Sequence, residues 1–270
     1  MSLAAVCHIG VHVFKESVRD RVLYNVVLFA ALLMGSSFLI GQLTAGQDVK
    51  IIKDLGLAAI SLFGLFIAIF IGIGLVSKEV EKRSIYALLS KPVRRHELIA
   101  GKFAGLALTL AINIGIMAAV YFAILAYYGA TELENVRGAW EAPAADPRLL
   151  IAIFFMYLQL LIVTAIALFF STFTSPLLAA AFSLGLWIAG HFSADLKAFD
   201  QVVDAPAASA LGRMLYYALP NLSAFDVKSL VVHGQQVPAG LAAINTAAAG
   251  TYIGVLLIAS ALIFSRRDFK

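Results

Sequence analysis

Long apolar segments that are free of charged residues are the feature that most constrains the fold. A bilayer core of about 30 Å requires roughly 20 apolar residues in a helix that rises about 1.5 Å per residue. Six segments meet or approach that length. The sequence therefore predicts an all-α integral membrane protein with six transmembrane helices, at residues 22–41, 55–77, 103–128, 149–170, 176–192 and 239–264.

Composition agrees with this prediction, because 61% of the 270 residues are hydrophobic and only 13% are charged. A soluble domain carries roughly 25% charged residues. All 20 basic and all 16 acidic residues fall outside the predicted spans. Carriers coupled to ions or protons generally depend on charges buried in the membrane, so their absence argues against that class.

The distribution of lysine and arginine predicts the orientation. The N-terminal lead, the loop 78–102, the turn 171–175 and the tail 265–270 share one side and hold 13 of the 20 basic residues. The positive-inside rule then places both termini in the cytoplasm. We expect a multi-pass protein of a cell membrane, the bacterial inner membrane. The net charge of +4 reflects this orientation, and no nucleic-acid partner is expected.

Two regions outside the spans are also expected to touch the membrane. Within residues 1–21, Val6, Ile9 and Val13 recur at helical spacing among polar positions, which indicates an amphipathic interfacial helix. The outer loop 193–238 is long for a loop without structure. We predict short re-entrant or interfacial helices within it.

The loop 78–102 is the most distinctive stretch of the chain. Glu79 and Arg83 are four residues apart, which favours a helix. Pro92 ends that helix, because proline lacks an amide hydrogen and disfavours helical geometry in the residue before it. The sequence predicts a short amphipathic helix, residues 78–92, whose apolar side chains require a partner. Those side chains are Ile85, Leu88 and Leu89.

The order of residues in this loop resembles the cytoplasmic loop of type 2 ABC-transporter permeases, the ABC-2 type membrane subunits. Many members carry a variant of E-x-E-x-x-T/S-x-x-x-L-L-x-x-P-x-x-R between their second and third spans. The Gly that commonly precedes the Thr or Ser is Arg83 here. The matching positions are Glu79, Glu81, Ser84, Leu88, Leu89, Pro92 and Arg95.

The resemblance implies a permease domain, residues 1–270, that docks separate ABC ATPase subunits through a coupling helix in this loop. It also implies two ATPase subunits, a second copy of the chain or a paralogue, and export as the direction. The implied docking residues are Glu79, Glu81, Arg83, Ser84, Ile85, Leu88, Leu89 and Pro92.

No phosphate-binding loop accompanies this architecture. The nearest candidate, Gly101-Lys102, has His96 where the first glycine of G-x-x-x-x-G-K-[ST] would stand. The chain is therefore not expected to be an enzyme or to bind a cofactor. ATP and Mg are expected in the partner ATPase.

The transport pathway is predicted from the resemblance, since the second and fifth spans line it in the family. Phe63, Phe66 and Phe70 form one stripe, for which lipid-facing packing is the simpler interpretation. Three neutral polar residues within spans, Asn113, Gln159 and Asn245, are expected to form interhelical hydrogen bonds or to touch substrate. The remaining pathway candidates are Phe182, Leu186 and Trp187.

Two other functions fit parts of the sequence. One is a membrane scaffold that moves no cargo and transmits ATPase motion to an assembly system, since it would keep the same coupling helix. The other is an ATP-independent secondary carrier, which the absence of buried charge disfavours. Cys7, His8 and His12 are close in sequence, but two histidines do not complete a metal site, so interfacial packing is expected.

Overall fold

The computed structural model describes residues 3–19, 21–41, 48–81, 94–138, 140–193 and 219–266. The regular secondary structure within these ranges is helical, which confirms the predicted all-α class. A 3-10 turn at Ser223–Phe225 precedes the last two helices. The helices are α1 (Leu3–Val18), α2 (Arg21–Gly41), α3 (Asp48–Glu81), α4 (Arg95–Thr131), α5 (Glu134–Arg137), α6 (Leu149–Ser171), α7 (Pro176–His191), α8 (Lys228–Val232) and α9 (Ala239–Arg266).

Four helices in the described part of the chain are long and apolar enough to cross a membrane. Their candidate spans belong to α3, α4, α6 and α9, and they overlap the second, third, fourth and sixth predicted spans. The first and fifth predicted spans also form helices, and the apolar stretches described within them are Val26–Ser37 and Pro176–His191. The 16 residues of α7 extend about 24 Å, which is less than a bilayer core of about 30 Å.

Helix α6 lies at the centre of the bundle. It packs against α3, α4, α7 and α9, and 78% of its apolar window is buried, compared with 17% for α9. A helix that is apolar on all sides is either covered by neighbouring helices or exposed to lipid. The main core therefore surrounds α6, and α9 lies at the periphery.

Helix α1 packs chiefly against α4. It buries Gly10, Val13 and Ser17 and exposes His8 and His12. Among the described residues, no group of three potential metal ligands occurs, at Cys7 or elsewhere. A second, smaller apolar cluster lies beneath α1 and contains Val13, Leu98, Ile99, Leu106, Leu168 and Phe264.

The described part of the outer loop packs onto the bundle. Helix α8 contacts α3 and α6, and Leu222, Phe225 and Val231 are buried. The ring of Phe225 lies 6.4 Å from that of Phe155 on α6. Residues 219–232 thus contribute to the main core, as their apolar side chains require.

Candidate functional site

The predicted docking loop is flanked by two long helices. Helix α3 continues without a break to Glu81. Glu79 and Glu81 lie in its last two turns. Helix α4 begins at Arg95. The other predicted docking residues, Arg83, Ser84, Ile85, Leu88, Leu89 and Pro92, lie outside the described residues, so their role stays a prediction.

The start of α4 lies almost in backbone contact with α1. A Cβ added to Gly105 would lie 2.6 Å from the carbonyl oxygen of Gly10 and 2.6 Å from Cγ1 of Val13. A Cβ on Gly101 would lie 2.7 Å from Cβ of Ile9. Small residues four apart allow this close approach of membrane helices. The Gly101-x-x-x-Gly105 motif therefore packs within the subunit and joins α1 to α4.

Arg95, the first residue of α4, also joins α4 to α9. Its Nη1 donates hydrogen bonds to the carbonyl oxygens of Phe264, at 2.6 Å, and Ser265, at 3.3 Å. Its guanidinium carbon lies 5.9 Å from the centre of the Phe264 ring. The last carbonyls of a helix lack partners within that helix. Arg95 therefore caps α9, a role that the sequence motif did not reveal.

The pathway candidates fall into two groups. Helices α3 and α7 pack against each other, and each carries candidates that the rest of the chain leaves exposed. The exposed fractions are 43% for Phe66, 59% for Phe70 and 47% for Phe182. The other three, Phe63, Leu186 and Trp187, are half-buried against the main core.

A polar pair lies at the end of α7. Nδ1 of His191 is 2.9 Å from the carbonyl oxygen of Trp187, and its Nε2 is 2.9 Å from Nε2 of Gln159 on α6. Since a carbonyl can only accept, Nδ1 carries the hydrogen, and Nε2 then accepts from the Gln159 amide. The prediction that Gln159 bonds between helices is confirmed.

Sequence reasoning missed His191, although it lies within the predicted fifth span. The count of charged residues covers Lys, Arg, Asp and Glu, so a histidine within a span does not stand out. The sequence did contain a signal. His191 lies four residues after Trp187, near the end of an apolar segment that is short for a transmembrane span. Such a residue is placed to bond its own helix and a neighbour.

Helix α7 ends beside the middle of α6. Gln159 lies ten residues after the start of α6, which is about 15 Å along its axis, and it contacts the last residue of α7. A helix that ends within an apolar layer leaves carbonyl groups without water, and they need protein partners. The carbonyl of Gly190 accepts from the amide of Leu222, at 3.0 Å, and from the hydroxyl of Ser193, at 2.9 Å.

The same outer segment is bonded to α9. Nδ2 of Asn245 donates to the carbonyl oxygen of Ala224 at 2.7 Å, which fixes the 3-10 turn. Asn113 differs from the expectation, because its Nδ2 donates to Thr109 of its own helix at 2.7 Å. Asn245 therefore ties a loop to a helix, and Asn113 satisfies its donor locally.

Charged side chains join three segments at the opposite end of the bundle from α1. Glu141 accepts from Lys50 at 2.8 Å and from Nδ1 of His233 at 2.8 Å. Hydrogen bonds from Lys50 and then His233 hold the pKa of Glu141 below its ordinary value. Nearby, Arg148 donates to the carbonyl of Gly234. These ties connect the start of α3, the segment 140–148 and the end of α8.

Comparison with known proteins gives one family. The family model described as "ABC-2 family transporter protein" matches residues 11–269. The match covers the loop whose residue order carried the resemblance and every described helix from α2 to α9 in full. No curated protein matches the chain.

Proposed function

Because this chain belongs to the ABC-2 family of transporter proteins, and is thus a multi-pass membrane permease, we propose that it is the permease subunit of an ATP-driven exporter. Partnership with ABC ATPase subunits follows from the family in general. The proposal adds the docking site, the direction and the composition of the complex. Two copies of this chain, or this chain and a paralogue, combine with two ATPase subunits.

The proposed docking site is supported chiefly by one observation: α3 and α4 are each unbroken helices up to the loop that connects them. Helix α3 runs unbroken for 34 residues to Glu81, and α4 runs unbroken for 37 residues from Arg95. Residues 82–94 connect two helices that each include a candidate span. A force on that connection therefore acts directly on both helices, with no flexible segment at its ends among the described residues.

The proposed topology has six spans, with both termini in the cytoplasm and the docking loop on the same side. Helix α2 supplies the first span and α7 the fifth. The segment 219–232 supports the shorter α7, because it binds the carbonyl of Gly190 and adds buried apolar side chains beyond the end of that helix. The protein belongs in the bacterial inner membrane.

The proposed mechanism places all nucleotide chemistry in the partner. ATP and Mg bind to the ATPase subunits, and this chain binds no cofactor and hydrolyses nothing. Closure of the ATPase dimer pushes the coupling helix, tilts α3 and α4, and opens a pathway along α3 and α7. The exposed rings of Phe66, Phe70 and Phe182 would line it. An apolar lining favours lipidic, amphipathic or hydrophobic cargo.

Docking is tested by co-purifying the chain with an ABC ATPase encoded beside its gene. Leu88→Asp and Leu89→Asp should each abolish co-purification, because burying a carboxylate without a partner is costly. Phe173→Asp is the matched control. That residue is exposed in the turn between α6 and α7, on the same proposed side but outside the docking loop, and its variant should still bind. Binding that survives both leucine changes would exclude this loop as the docking site.

Export is tested with the complex reconstituted in vesicles. The expected result is ATP-dependent movement of at least one cargo from a panel of lipids, hydrophobic drugs and glycans. A complex that hydrolyses ATP and moves none of them would favour a scaffold that transmits ATPase motion. Movement of cargo by the chain without its ATPase would favour a secondary carrier.

A further inference from the structure

A groove runs between α4 and α9 at the end of the bundle where Arg95 caps α9. It encloses about 390 Å³, which is within the range of sites that bind small molecules. Its lining along α9 extends from Leu257 to Ser265, about 12 Å of helix. The apolar walls are Ile99, Ala100, Leu257, Ile258, Ala261 and Leu262.

The apolar wall on α9 is uncovered by the rest of the chain. Ile258 is 64% exposed and Leu262 is 58% exposed. Both belong to a candidate span, Ala239–Ser265, so an apolar chain rather than water is the natural occupant of this space. The groove thus begins at the polar end of the helix pair and continues into the layer that lipid tails occupy.

The mouth of the groove is basic. Arg95 and His96 line it, His96 is exposed, and none of the described residues that line the groove is acidic. A helix C-terminus normally repels anions, and α9 ends here. The guanidinium of Arg95, however, covers the carbonyls of Phe264 and Ser265. The mouth is therefore suited to a negatively charged group.

We infer that this groove is a binding site for an anionic phospholipid of the cytoplasmic leaflet. The phosphate and headgroup lie at Arg95 and His96, and one acyl chain lies along Ala261 and Leu262. Charge complementarity selects this occupant, since the cytoplasmic leaflet holds anionic lipids that attract basic residues close to the membrane. The assignment of the leaflet rests on the proposed topology, but binding itself does not.

The test uses the full chain, purified in detergent and exchanged into lipid mixtures of equal parts phosphatidylcholine and phosphatidylglycerol. Native mass spectrometry then counts the phospholipids that stay bound. Wild type should retain phosphatidylglycerol in preference to phosphatidylcholine. His96→Glu should weaken that preference about fivefold or more, because one charge near the surface contributes about that factor. Lys15→Gln, an equal change of one unit of charge at an exposed position of α1, should leave it unchanged.

A second variant tests the acyl-chain part of the site. Ala261→Phe fills the groove and should lower retention of both phospholipids, whereas Ala247→Phe, at an exposed position on the same helix, should not. Ala261→Leu serves if the larger side chain prevents a monodisperse preparation. The inference would be overturned if wild type retained both phospholipids equally, or if the Ala261 variants retained as much phospholipid as wild type.

The oligomeric state in the same samples distinguishes a bound lipid from a second copy of the chain as the occupant of the groove. If filling the groove dissociates a dimer and leaves lipid retention unchanged, the groove is an interface between two copies and the inference is wrong. Co-purification of the ATPase is measured separately. Loss of lipid selectivity with intact ATPase binding would therefore leave the proposed function standing, and the reverse result would leave the lipid site standing.

Discussion

The two ends of the helix bundle are held together by different kinds of contact. At the end that contains α1, backbones approach closely at Gly10 and Gly105, and Arg95 bonds the carbonyls of α9. At the opposite end, exposed charged side chains such as Lys50 and Glu141 join neighbouring segments. The first kind of contact tolerates almost no displacement. The second can break and form again at low cost, since exposed ion pairs contribute little.

This difference is consistent with the proposed transmission of force from the docking loop. If that loop is pushed, helices α1, α4 and α9 should move together, because α1 and α4 are in close contact and Arg95 bonds α4 to α9. The exposed ion pairs at the far end are individually weak, although buried apolar side chains such as Ala142 and Val231 also pack there. The following predictions test whether the two ends differ in this way, from the largest expected effect to the smallest.

The largest effect is expected at Gly105. Gly105→Ala should lower the free energy of unfolding by about 3 kcal/mol, because the new methyl group would overlap a backbone carbonyl that cannot rotate away. Gly115→Ala is the control, since a Cβ there has nothing within 4 Å and alanine favours the helix. Reversible unfolding by SDS titration in mixed micelles measures both. Equal stability of the two variants would show that α1 is not closely packed.

The Arg95 cap is expected to have the next largest effect. Arg95→Ala should cost about 2 kcal/mol in the same assay, because it removes charge-assisted hydrogen bonds from carbonyls at a helix end. Arg137→Ala removes a comparable contact at the opposite end, where the guanidinium is exposed and lies 3.4 Å from the carbonyl of Gly129. It should cost a few tenths of a kcal/mol at most. A larger cost at Arg137 would reverse the comparison.

The polar pair at the end of α7 should contribute an intermediate amount. Gln159→Leu should cost about 1 kcal/mol, because hydrogen bonds between membrane helices contribute about 0.6–2 kcal/mol and Nε2 of His191 would lose its donor. A double-mutant cycle with His191→Leu isolates the interaction. A coupling energy near zero would show that the two side chains act independently.

The ties of Glu141 should give the smallest effect, and it should depend on pH. The pKa of Glu141 lies below its ordinary value of 4.5, so its ion pairs stabilise the fold above about pH 4.5 and this contribution is lost as pH falls through the lowered pKa. The melting temperature of Glu141→Gln should lie below that of wild type at pH 6. The two should converge in acid. A difference that persists well below the lowered pKa of Glu141 would assign the effect to something other than charge.

Hydropathy predicted most of the fold, because long apolar runs leave few alternatives in a bilayer. It predicted the positions of the four longest spans and the amphipathic composition of α1. It could not show that α7 ends beside Gln159, since a 17-residue apolar run is compatible with either a tilted span or a shorter helix. That outcome depends on Leu222, some 30 residues later, and local patterns carry no information about such a partner.

The candidate site was predictable where a local pattern carried it. The Gly101-x-x-x-Gly105 spacing is typical of closely packed membrane helices, but only the structure shows that α1 is its partner. The order of residues from Glu79 to Arg95 indicated the family, and the family match agrees. The cap that Arg95 forms on α9 was not predictable, because it joins residues 169 positions apart.

The short α7 has a consequence for how the protein is made. Its terminal carbonyl at Gly190 meets the amide of Leu222, which is synthesised 32 residues later, or roughly two to six seconds at typical rates of translation. During that interval the hairpin of α6 and α7 must stay in the membrane while the carbonyl of Gly190 lacks the amide of Leu222. The pairing of Gln159 with His191 is available throughout, because both residues are already present. This polar pair can therefore hold the hairpin in register until the rest of the chain arrives.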